Sequence, residues 1–184
     1  MEHNNDNAPL ECHCNMTGLK PIMMDLPYPP IQVKEPNRNY VNLLSVDYCG
    51  SVSELSAITQ YVNNENRLIC QKCSIARTLL GIAMAEMMHL NMLGELMHLL
   101  GGPIDYIARQ PGKRPAMWSP SYLTLSEQAP QMLRDNIESE KAAINQYRMH
   151  MNVIKDENIN AVLARIIKDE EYHIMILQAL LKEY

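Results

Sequence analysis

The sequence ELSAITQY at residues 54–61 returns as EKAAINQY at residues 140–147, with the same residue at five of the eight positions. A second motif also occurs twice, as EMMH at residues 86–89 and as EEYH at residues 170–173. The first pair of motifs lies 86 residues apart and the second pair lies 84 residues apart. Such a nearly constant offset indicates one repeat of about 85 residues, and therefore two similar halves that fold together.

Helical periodicity surrounds the repeated motifs and predicts four helices, over about residues 40–65, 70–100, 130–155 and from 157 to the C-terminus. Gly101-Gly102-Pro103 ends the second helix. Residues 103–129 are rich in proline and form a long crossover without clear periodicity. Two short-linked helix pairs with one long connection predict an all-α four-helix bundle, made of two duplicated helical hairpins, over residues 40–184.

The length and charge of the chain restrict what it can do. With 184 residues it corresponds to one ordinary domain that can bury its own core. Residues 1–39 are rich in Asn and Pro and lack a sustained period, so we expect an extended arm on the outside of the bundle. The formal net charge is -5 and the basic residues are scattered, so nucleic acid is not an expected partner.

Neither a membrane span nor an export signal is expected. No run of 18 apolar residues exists, because the longest apolar stretch is interrupted by Glu86, His89, Glu95 and His98. The N-terminus has no basic segment that leads into an apolar one. We therefore expect no contact with membranes and a cytoplasmic location.

Acidic residues occupy core positions of the predicted helices. Glu140 fills one step of an apolar row with spacings of three and four residues, whose other members are Leu133, Ile137, Ile144, Tyr147, Met151 and Ile154. Glu86 and Glu170 complete similar rows in the second and fourth helices, and the repeat places Glu54 with them. Four inward carboxylates without basic partners would cost several kcal/mol each, too much for a domain of about 5–15 kcal/mol net stability.

Two divalent metal ions would balance these carboxylates, and the histidine of each Glu-x-x-His motif would join them from the same helix face. One Glu from each of two helices and one Glu-x-x-His from each of two others form the ligand set of dimetal sites in helical bundles. The predicted metal ligands are Glu54, Glu86, His89, Glu140, Glu170 and His173. We expect two iron or manganese ions per chain, since oxygen and imidazole ligands suit both, bridged by Glu54 and Glu140 or by one of them.

Two acidic positions near the ligands are excluded by their register. Glu95-Leu96-Met97-His98 is also a Glu-x-x-His motif, but it begins nine residues after Glu86 and faces roughly the opposite side of the helix. We expect this second motif at the surface. Glu138 misses the core row of its helix by about 100° and is expected in solvent.

The roles of three further residues stay open at this point. Tyr61 and Tyr147 follow their glutamates by seven residues on the same helix face, where they either pack in the core or donate a hydrogen bond to a ligand carboxylate. Asp169 precedes Glu170 and is either solvated or accepts a hydrogen bond from the outer ring nitrogen of His89.

The sulfur-containing residues give weaker signals. Five cysteines, an odd number, indicate reduced thiols rather than a disulfide framework. Cys12-His13-Cys14 and Cys70-Gln71-Lys72-Cys73 leave a second metal site open, although the first spacing is not that of a zinc knuckle. The chain has 14 Met and no Phe. Pliable methionines are expected to pack around the charged centre, at Met87, Met88, Met149 and Met151.

Three stretches carry a family resemblance: YPPIQV at residues 28–33, SELSA at residues 53–57 and EMMHL at residues 86–90. Together with the six predicted ligands they resemble the ferritin-like dimetal carboxylate superfamily, above all manganese catalases and their spore-coat relatives, and next the rubrerythrins. The resemblance implies a bridged di-manganese or di-iron site. It also implies that Glu170 is either a metal ligand or a catalytic acid–base group beside the metals.

The function expected from this resemblance is a peroxide-detoxifying oxidoreductase of the catalase or peroxidase type. Its small-molecule partner would be hydrogen peroxide or dioxygen, and the protein would be a homo-oligomer in the cytoplasm or in a spore. Three alternatives stay open. These are an iron-handling or storage protein that assembles into a cage, a structural coat protein with a vestigial site, and an oxidase that acts on an organic substrate.

Overall fold

The computed structural model describes residues 12–184 of the chain, so residues 1–11 of the predicted arm lie outside the described residues. Its main elements are α1 (Arg38–Cys49), α2 (Glu54–Leu68), α3 (Cys73–Leu99), α4 (Ala129–Val153) and α5 (Glu157–Leu181). The helices α2 and α3 form one hairpin and α4 and α5 form the other. The predicted all-α four-helix bundle is confirmed, with α1 as an additional short helix. None of the helices in the described part combines the length and the apolar character of a membrane span.

The first predicted helix is divided in two, which corrects the continuous helix expected over residues 40–65. The helix α1 ends before Gly50, and α2 begins at Glu54. Ser53 separates them, because its hydroxyl accepts from the backbone N–H of Ser56 at 3.2 Å and donates to the carbonyl of Gly50 at 2.7 Å. A serine N-cap satisfies backbone donors that an uninterrupted helix would bond internally. The break leaves Glu54 in the first turn of α2.

Two apolar clusters fill the bundle, one on each side of a polar level. The larger cluster joins α1 to the second halves of α3 and α4 and the first half of α5, with the fully buried Leu44, Leu93, Leu96, Ile154 and Leu163. The smaller cluster joins the opposite halves and contains Leu79, Ile82, Leu133 and Leu177. Burial of each such side chain contributes about 1.5–3 kcal/mol. The two clusters therefore hold the helices in place at the polar level between them.

The arm over residues 12–37 contains no helix or strand and lies against α3 and α5. The backbone N–H of Ile22 donates to the carbonyl of Gly81 at 2.9 Å. The guanidinium of Arg165 donates to the carbonyl of Met24 at 2.8 Å. Glycine is required at position 81, since a Cβ there would lie 2.8 Å from the side chain of Ile22. Contacts of this kind hold the arm on the bundle, although the sequence of the arm has no regular period.

The crossover contains more regular structure than its sequence predicts. The strands β1 (Ile107–Ala108) and β2 (Ala116–Met117) form an antiparallel ladder, and a 3-10 turn follows at Pro120–Tyr122. Strands of two residues are too short to produce an alternating pattern. Gln60 of α2 fastens the crossover, because its side-chain amide makes hydrogen bonds of 2.6 and 2.7 Å with the backbone of Thr124.

Four of the five cysteines form disulfides, which corrects the expectation of reduced thiols. Cys12 pairs with Cys70 and Cys14 pairs with Cys73, at Cα–Cα distances of 5.0 and 5.3 Å. The number of cysteines is odd because the fifth one, Cys49, is buried without a bridge. Burial raises the pKa of the Cys49 thiol to about 11. Bridged sulfurs are not thiolate ligands, so the pairing speaks against the second metal site left open above.

Three of the four methionines expected around the charged centre lie at the surface, so that prediction was wrong. The exposed fractions are 46% for Met87, 37% for Met88 and 59% for Met149, whereas Met151 is partly buried. Met87 and Met88 follow Glu86 by one and two positions, which turns them about 100° and 200° around the helix. They therefore point away from the bundle interior, which composition alone cannot reveal.

Replacing Gly102 with alanine tests the packing of α1 against the end of α3. A Cβ at position 102 would collide with the side chain of Val41, which is fully buried. We expect G102A to lower the free energy of unfolding by about 1–3 kcal/mol, because overpacking a filled core displaces its neighbours. Urea denaturation measures this difference. The matched control is G94A, whose added Cβ meets Tyr48 at an ordinary 3.4 Å; equal losses in both variants would contradict the assignment.

Candidate dimetal centre

All six predicted ligands lie at the polar level of the bundle. The helix α2 contributes one carboxylate, α4 contributes another, and α3 and α5 each contribute a carboxylate and an imidazole one helical turn apart. The exposed fraction is at most 3% for each of Glu54, Glu86, His89, Glu140, Glu170 and His173. The six predicted ligands are therefore inside the bundle, whereas Glu171 of the second Glu-x-x-His motif is exposed.

The six side chains form two overlapping groups, and within each group the potential ligand atoms lie within 4.8 Å of one another. One group consists of Glu54, Glu86, His89 and Glu170, and the other consists of Glu86, Glu140, Glu170 and His173. Glu86 and Glu170 belong to both. The shared carboxylates are thus those of the Glu-x-x-His motifs, whereas the sequence-based expectation places the bridge at Glu54 and Glu140 or at one of them. Register shows that a carboxylate faces inward, but only distances between helices show which one lies centrally.

Both imidazoles present Nδ1 to the carboxylates. His89 Nδ1 lies 2.8 Å from an oxygen of Glu86 and 3.3 Å from an oxygen of Glu170. His173 Nδ1 lies 2.9 Å from Glu170 and 3.0 Å from Glu86. Each histidine therefore faces both shared carboxylates with the same ring nitrogen, and Nε2 is left for contacts on the outer side of the site.

The outer nitrogen of His89 contacts a carboxylate. Its Nε2 lies 3.1 Å from Oδ2 of Asp169 and 3.3 Å from the hydroxyl of Tyr28. Asp169 also accepts from Tyr28, from the backbone N–H of Met24 at 2.7 Å, and pairs with Arg165 at 2.7 Å. The open question about Asp169 is thereby decided in favour of the hydrogen bond to His89. Burial acts to raise the pKa of Asp169, but these donors lower it to about 2.

The outer nitrogen of His173 contacts a backbone carbonyl instead. Its Nε2 lies 2.7 Å from the carbonyl oxygen of Ile22 in the arm. Because a carbonyl only accepts, Nε2 carries a proton, and Nδ1 is the ring nitrogen that faces the carboxylates. The two imidazoles are therefore held by different groups, which makes the two halves of the site unequal despite the sequence repeat.

Two tyrosines hold the two unshared carboxylates crosswise. The hydroxyl of Tyr61 in α2 donates to Glu140 in α4, and the hydroxyl of Tyr147 in α4 donates to Glu54 in α2. This decides the open question about both tyrosines in favour of a hydrogen bond to a ligand carboxylate. Burial, followed by the charge of the facing glutamate, raises the pKa of each tyrosine well above its ordinary value. Each hydroxyl consequently keeps its proton and remains a donor.

Within the described residues 12–184, the cationic groups that contact the four carboxylates are the two imidazoles. Burial and the charge of Glu86 raise the pKa of Glu140 to about 8 and raise that of Glu54 well above its ordinary value. Burial also acts to raise the pKa of Glu86, but His173 and His89 hold it below its ordinary range. Burial acts to lower the pKa of both imidazoles, and the surrounding carboxylates raise it well above the ordinary value. Both imidazoles thus keep their protons and carry positive charge between the carboxylates.

The residues fit two divalent transition-metal ions. Oε1 of Glu86 is buried and makes no aligned hydrogen bond, and the nearest cationic group is Nδ1 of His173 at 3.0 Å, so this carboxylate oxygen can accept a metal ion. Four carboxylates and two imidazoles are oxygen and nitrogen donors of the kind that iron and manganese accept. The cluster is therefore able to hold two iron or manganese ions.

A cavity of about 350 Å³ lies between α2 and α4 and reaches the centre. Its wall includes Glu54, Glu140 and Glu170, together with the side chains of Tyr61 and Tyr147. The crossover covers one side through Tyr122 and Thr124. The cavity is large relative to the volume of about 30 Å³ that one water occupies, so small molecules have a path to the carboxylates.

The look-alike residues near the candidate ligands lie at the surface, as their register predicts. Glu95 and His98 are exposed, and Glu95 accepts from the side chain of Asn91 at 2.7 Å. Glu138 is also exposed. None of these residues belongs to either ligand group, as the sequence predicts.

Three contributors to the site were missed by the sequence reasoning. Tyr28 and Ile22 lie in the aperiodic arm, where no pattern relates a residue to a helix. Arg165 lies in α5 four residues before Asp169, a spacing that brings oppositely charged side chains together on one helix face. The Arg165–Asp169 spacing was a usable signal, whereas the positions of the arm residues depend on tertiary contacts.

Comparisons with known proteins place the fold and the family. The family model described as Rubrerythrin matches residues 51–181. The manganese catalase KatB from Anabaena has a TM-score of 0.78 and 23% sequence identity, over 87% of this chain and 78% of that chain. The Desulfovibrio desulfuricans bacterioferritin, which has a diiron site, has a TM-score of 0.63 and 23% identity, over 78% of each chain. The Rhodobacter capsulatus bacterioferritin has a TM-score of 0.64 and 19% identity, over 82% of this chain and 88% of that chain.

No curated protein is similar enough to the chain to count as a match. At these low identities the solved structures show only the shared fold. The match to the Rubrerythrin model confirms the predicted resemblance to the ferritin-like dimetal carboxylate superfamily. The matched residues include both repeated motifs and all six candidate ligands. The chain therefore belongs to the rubrerythrin family.

Proposed function

We propose that this protein is a dimetal oxidoreductase that acts on hydrogen peroxide. The observation that carries the proposal is the pair of ligand groups that share Glu86 and Glu170 and open onto a cavity between α2 and α4. A centre that holds two redox metals side by side, with a path for a small molecule, suits the two-electron chemistry of peroxide. The similarity of fold to a manganese catalase supports this choice of substrate.

The ligand positions follow the two groups. His89 with Glu54 would hold one ion and His173 with Glu140 would hold the other, and the two shared glutamates lie within reach of both positions. When bound, the ions supply two electrons through paired changes of oxidation state and polarise an oxygen ligand. The acid–base role of Glu170 stays a prediction. Its contacts with both Nδ1 atoms, at 3.3 and 2.9 Å, favour the role of a ligand.

The remaining residues keep these ligands in place. Tyr61 and Tyr147 donate to the unshared glutamates, which fixes one oxygen of each. In Glu54 the other oxygen, Oε2, faces Nδ1 of His89 at 3.7 Å. Asp169, itself paired with Arg165, orients the ring of His89 and makes its Nδ1 a stronger donor to a metal. Both tyrosine side chains line the cavity, where each hydroxyl holds a proton close to an entering molecule.

The proposal includes self-association and a cytoplasmic location. Apolar side chains surround a groove on the outer face of α3 and are exposed by 44% at Leu99, 46% at Met87 and 49% at Ile104. An exposed apolar patch of this kind is typical of a protein–protein interface, and a second copy of the chain is the partner that we propose. In a reducing cytoplasm the two disulfides would be redox-active rather than permanent.

One observation favours a second candidate function, the oxidation of an organic substrate. A cavity of about 350 Å³ exceeds what peroxide needs. It lies at the lower end of the range of about 300–1,000 Å³ that is typical of pockets for organic ligands. Dioxygen consumption that depends on an added organic compound would support this candidate over peroxide chemistry. An iron-storage or structural role has no comparable support from the cavity.

Metal content tests the ligand assignment. After anaerobic loading with Mn²⁺ or Fe²⁺ and removal of excess ions, elemental analysis should give two ions per chain. We expect E86A to lose most of both ions, because Glu86 belongs to both groups, and E54A to retain about one. The matched control is E95A in the exposed Glu-x-x-His motif, which should retain both ions. Equal losses in E54A and E86A would contradict the assignment of the shared carboxylate.

Oxygen evolution tests the reaction. Addition of hydrogen peroxide to the metal-loaded protein should release one dioxygen for each two peroxide molecules, as measured with an oxygen electrode. We expect Y147F to lower the rate by about 10-fold or more, since Glu54 loses its hydrogen-bond donor and the cavity loses a proton-bearing group. The control is Y106F, a mainly exposed tyrosine outside both ligand groups. A protein that binds two ions but evolves no oxygen would overturn the proposed activity.

A further inference from the structure

Two disulfides at one end of the bundle have no part in the proposed reaction. The bridge Cys12–Cys70 joins the arm to the turn between α2 and α3. The bridge Cys14–Cys73 joins the arm to the first residue of α3. Cys12 and Cys70 are exposed, and Cys14 and Cys73 are partly exposed. All four sulfur-bearing residues are therefore open to attack by an external thiol.

The surroundings of the second bridge favour thiol–disulfide exchange. Cys73 is the first residue of α3, where the unpaired backbone N–H groups stabilise a thiolate. Arg77 lies one turn further along α3, and its guanidinium donates to the carbonyl of Asn15, the residue after Cys14. A helix N-terminus stabilises negative charge, which favours Cys73 as the leaving group when Cys14 is attacked.

The arm connects these bridges to the dimetal centre. Eight residues after Cys14, the carbonyl of Ile22 accepts the hydrogen bond from His173. Two residues further, the N–H of Met24 donates to Asp169, which in turn contacts His89. The segment that the disulfides tie down is therefore the segment that supports both imidazoles from outside.

We propose that the two bridges are a reversible redox site, reduced by a dithiol, that controls how firmly the arm closes over the His173 side of the dimetal centre. Each bridge takes two electrons and two protons from one dithiol, which becomes a disulfide, and leaves two cysteine thiols. Hydrogen peroxide reverses the change: two thiols give up two electrons and two protons, the bridge forms again, and peroxide becomes two waters.

The effect is expected to be unequal between the two halves of the centre. On the His173 side, Ile22 is the outer support that the arm supplies, and it is anchored by its backbone bond to Gly81 and by the packing of its side chain against the smaller apolar cluster. On the other side Asp169 keeps its pairing with Arg165 when the arm loosens. Reduction therefore frees residues 15–22 first and leaves the support of His89 largely in place.

Hydrogen exchange of the full-length protein tests this proposal without any activity assay. Mass spectrometry should find that amide exchange in residues 15–24 becomes at least 10-fold faster after treatment with dithiothreitol. Exchange in the core of α5 around residues 162–167 should not change. The double variant C12S/C14S should exchange rapidly in this segment without reductant and should not respond to it. The control C49S, which lacks only the unbridged thiol, should respond as the natural protein does.

Thiol counting and metal release complete the test. The protein unfolded without reductant should show one free thiol per chain, Cys49, and after reduction all five. Five free thiols before reduction, or unchanged exchange after it, would overturn the proposal. A faster transfer of one of the two bound ions to a chelator after reduction is also expected, and this part rests on the proposed ligands. If the exchange response is present but no metal binds, the redox site stands and the proposed function fails.

Discussion

Four carboxylates are buried at one level of the bundle, and within residues 12–184 they pair with imidazoles but with no lysine or arginine. The rest of the structure depends on this constraint. Apolar clusters on both sides hold the helices so that the carboxylates cannot separate. The raised pKa of Glu140 and the lowered pKa of Glu86 show how strongly positive charge is needed at this level. Two divalent ions satisfy that need and link the fold directly to redox chemistry.

The sequence repeat makes the inner ligands symmetric, and the arm makes the outer contacts asymmetric. Each half supplies one unshared glutamate, one shared glutamate and one histidine, and the two tyrosines cross between the halves. Outside this set, His89 contacts the carboxylate of Asp169, whereas His173 contacts the carbonyl of Ile22. A carboxylate makes an imidazole a stronger donor than a carbonyl does. The two metal positions are therefore inequivalent, and the arm that causes this inequality is the segment fastened by the disulfides.

The inner ligands were predictable because helix register and an internal repeat are periodic signals. The same reasoning placed Glu95 and Glu138 correctly at the surface. It failed where the outcome depends on distances between elements. The sharing of Glu86 between the two groups depends on how closely α3 approaches α5, and the pairing of Cys14 with Cys73 depends on the path of the arm. The serines before α2 were a local signal for the break, because their hydroxyls compete for backbone donors. The apolar spacing of a helix continues across the break, and it therefore predicted one continuous helix.

Anomalous diffraction from crystals loaded with manganese, recorded at the manganese absorption edge, tests the central claim most directly. The predicted result is two peaks per chain between α3 and α5, each next to one histidine Nδ1 and both contacted by Glu86 and Glu170. The expected metal–ligand distances are about 2.0–2.3 Å, as for nitrogen and oxygen ligands of similar divalent ions. A single peak, or two peaks bridged by Glu54 and Glu140 instead, would contradict the account.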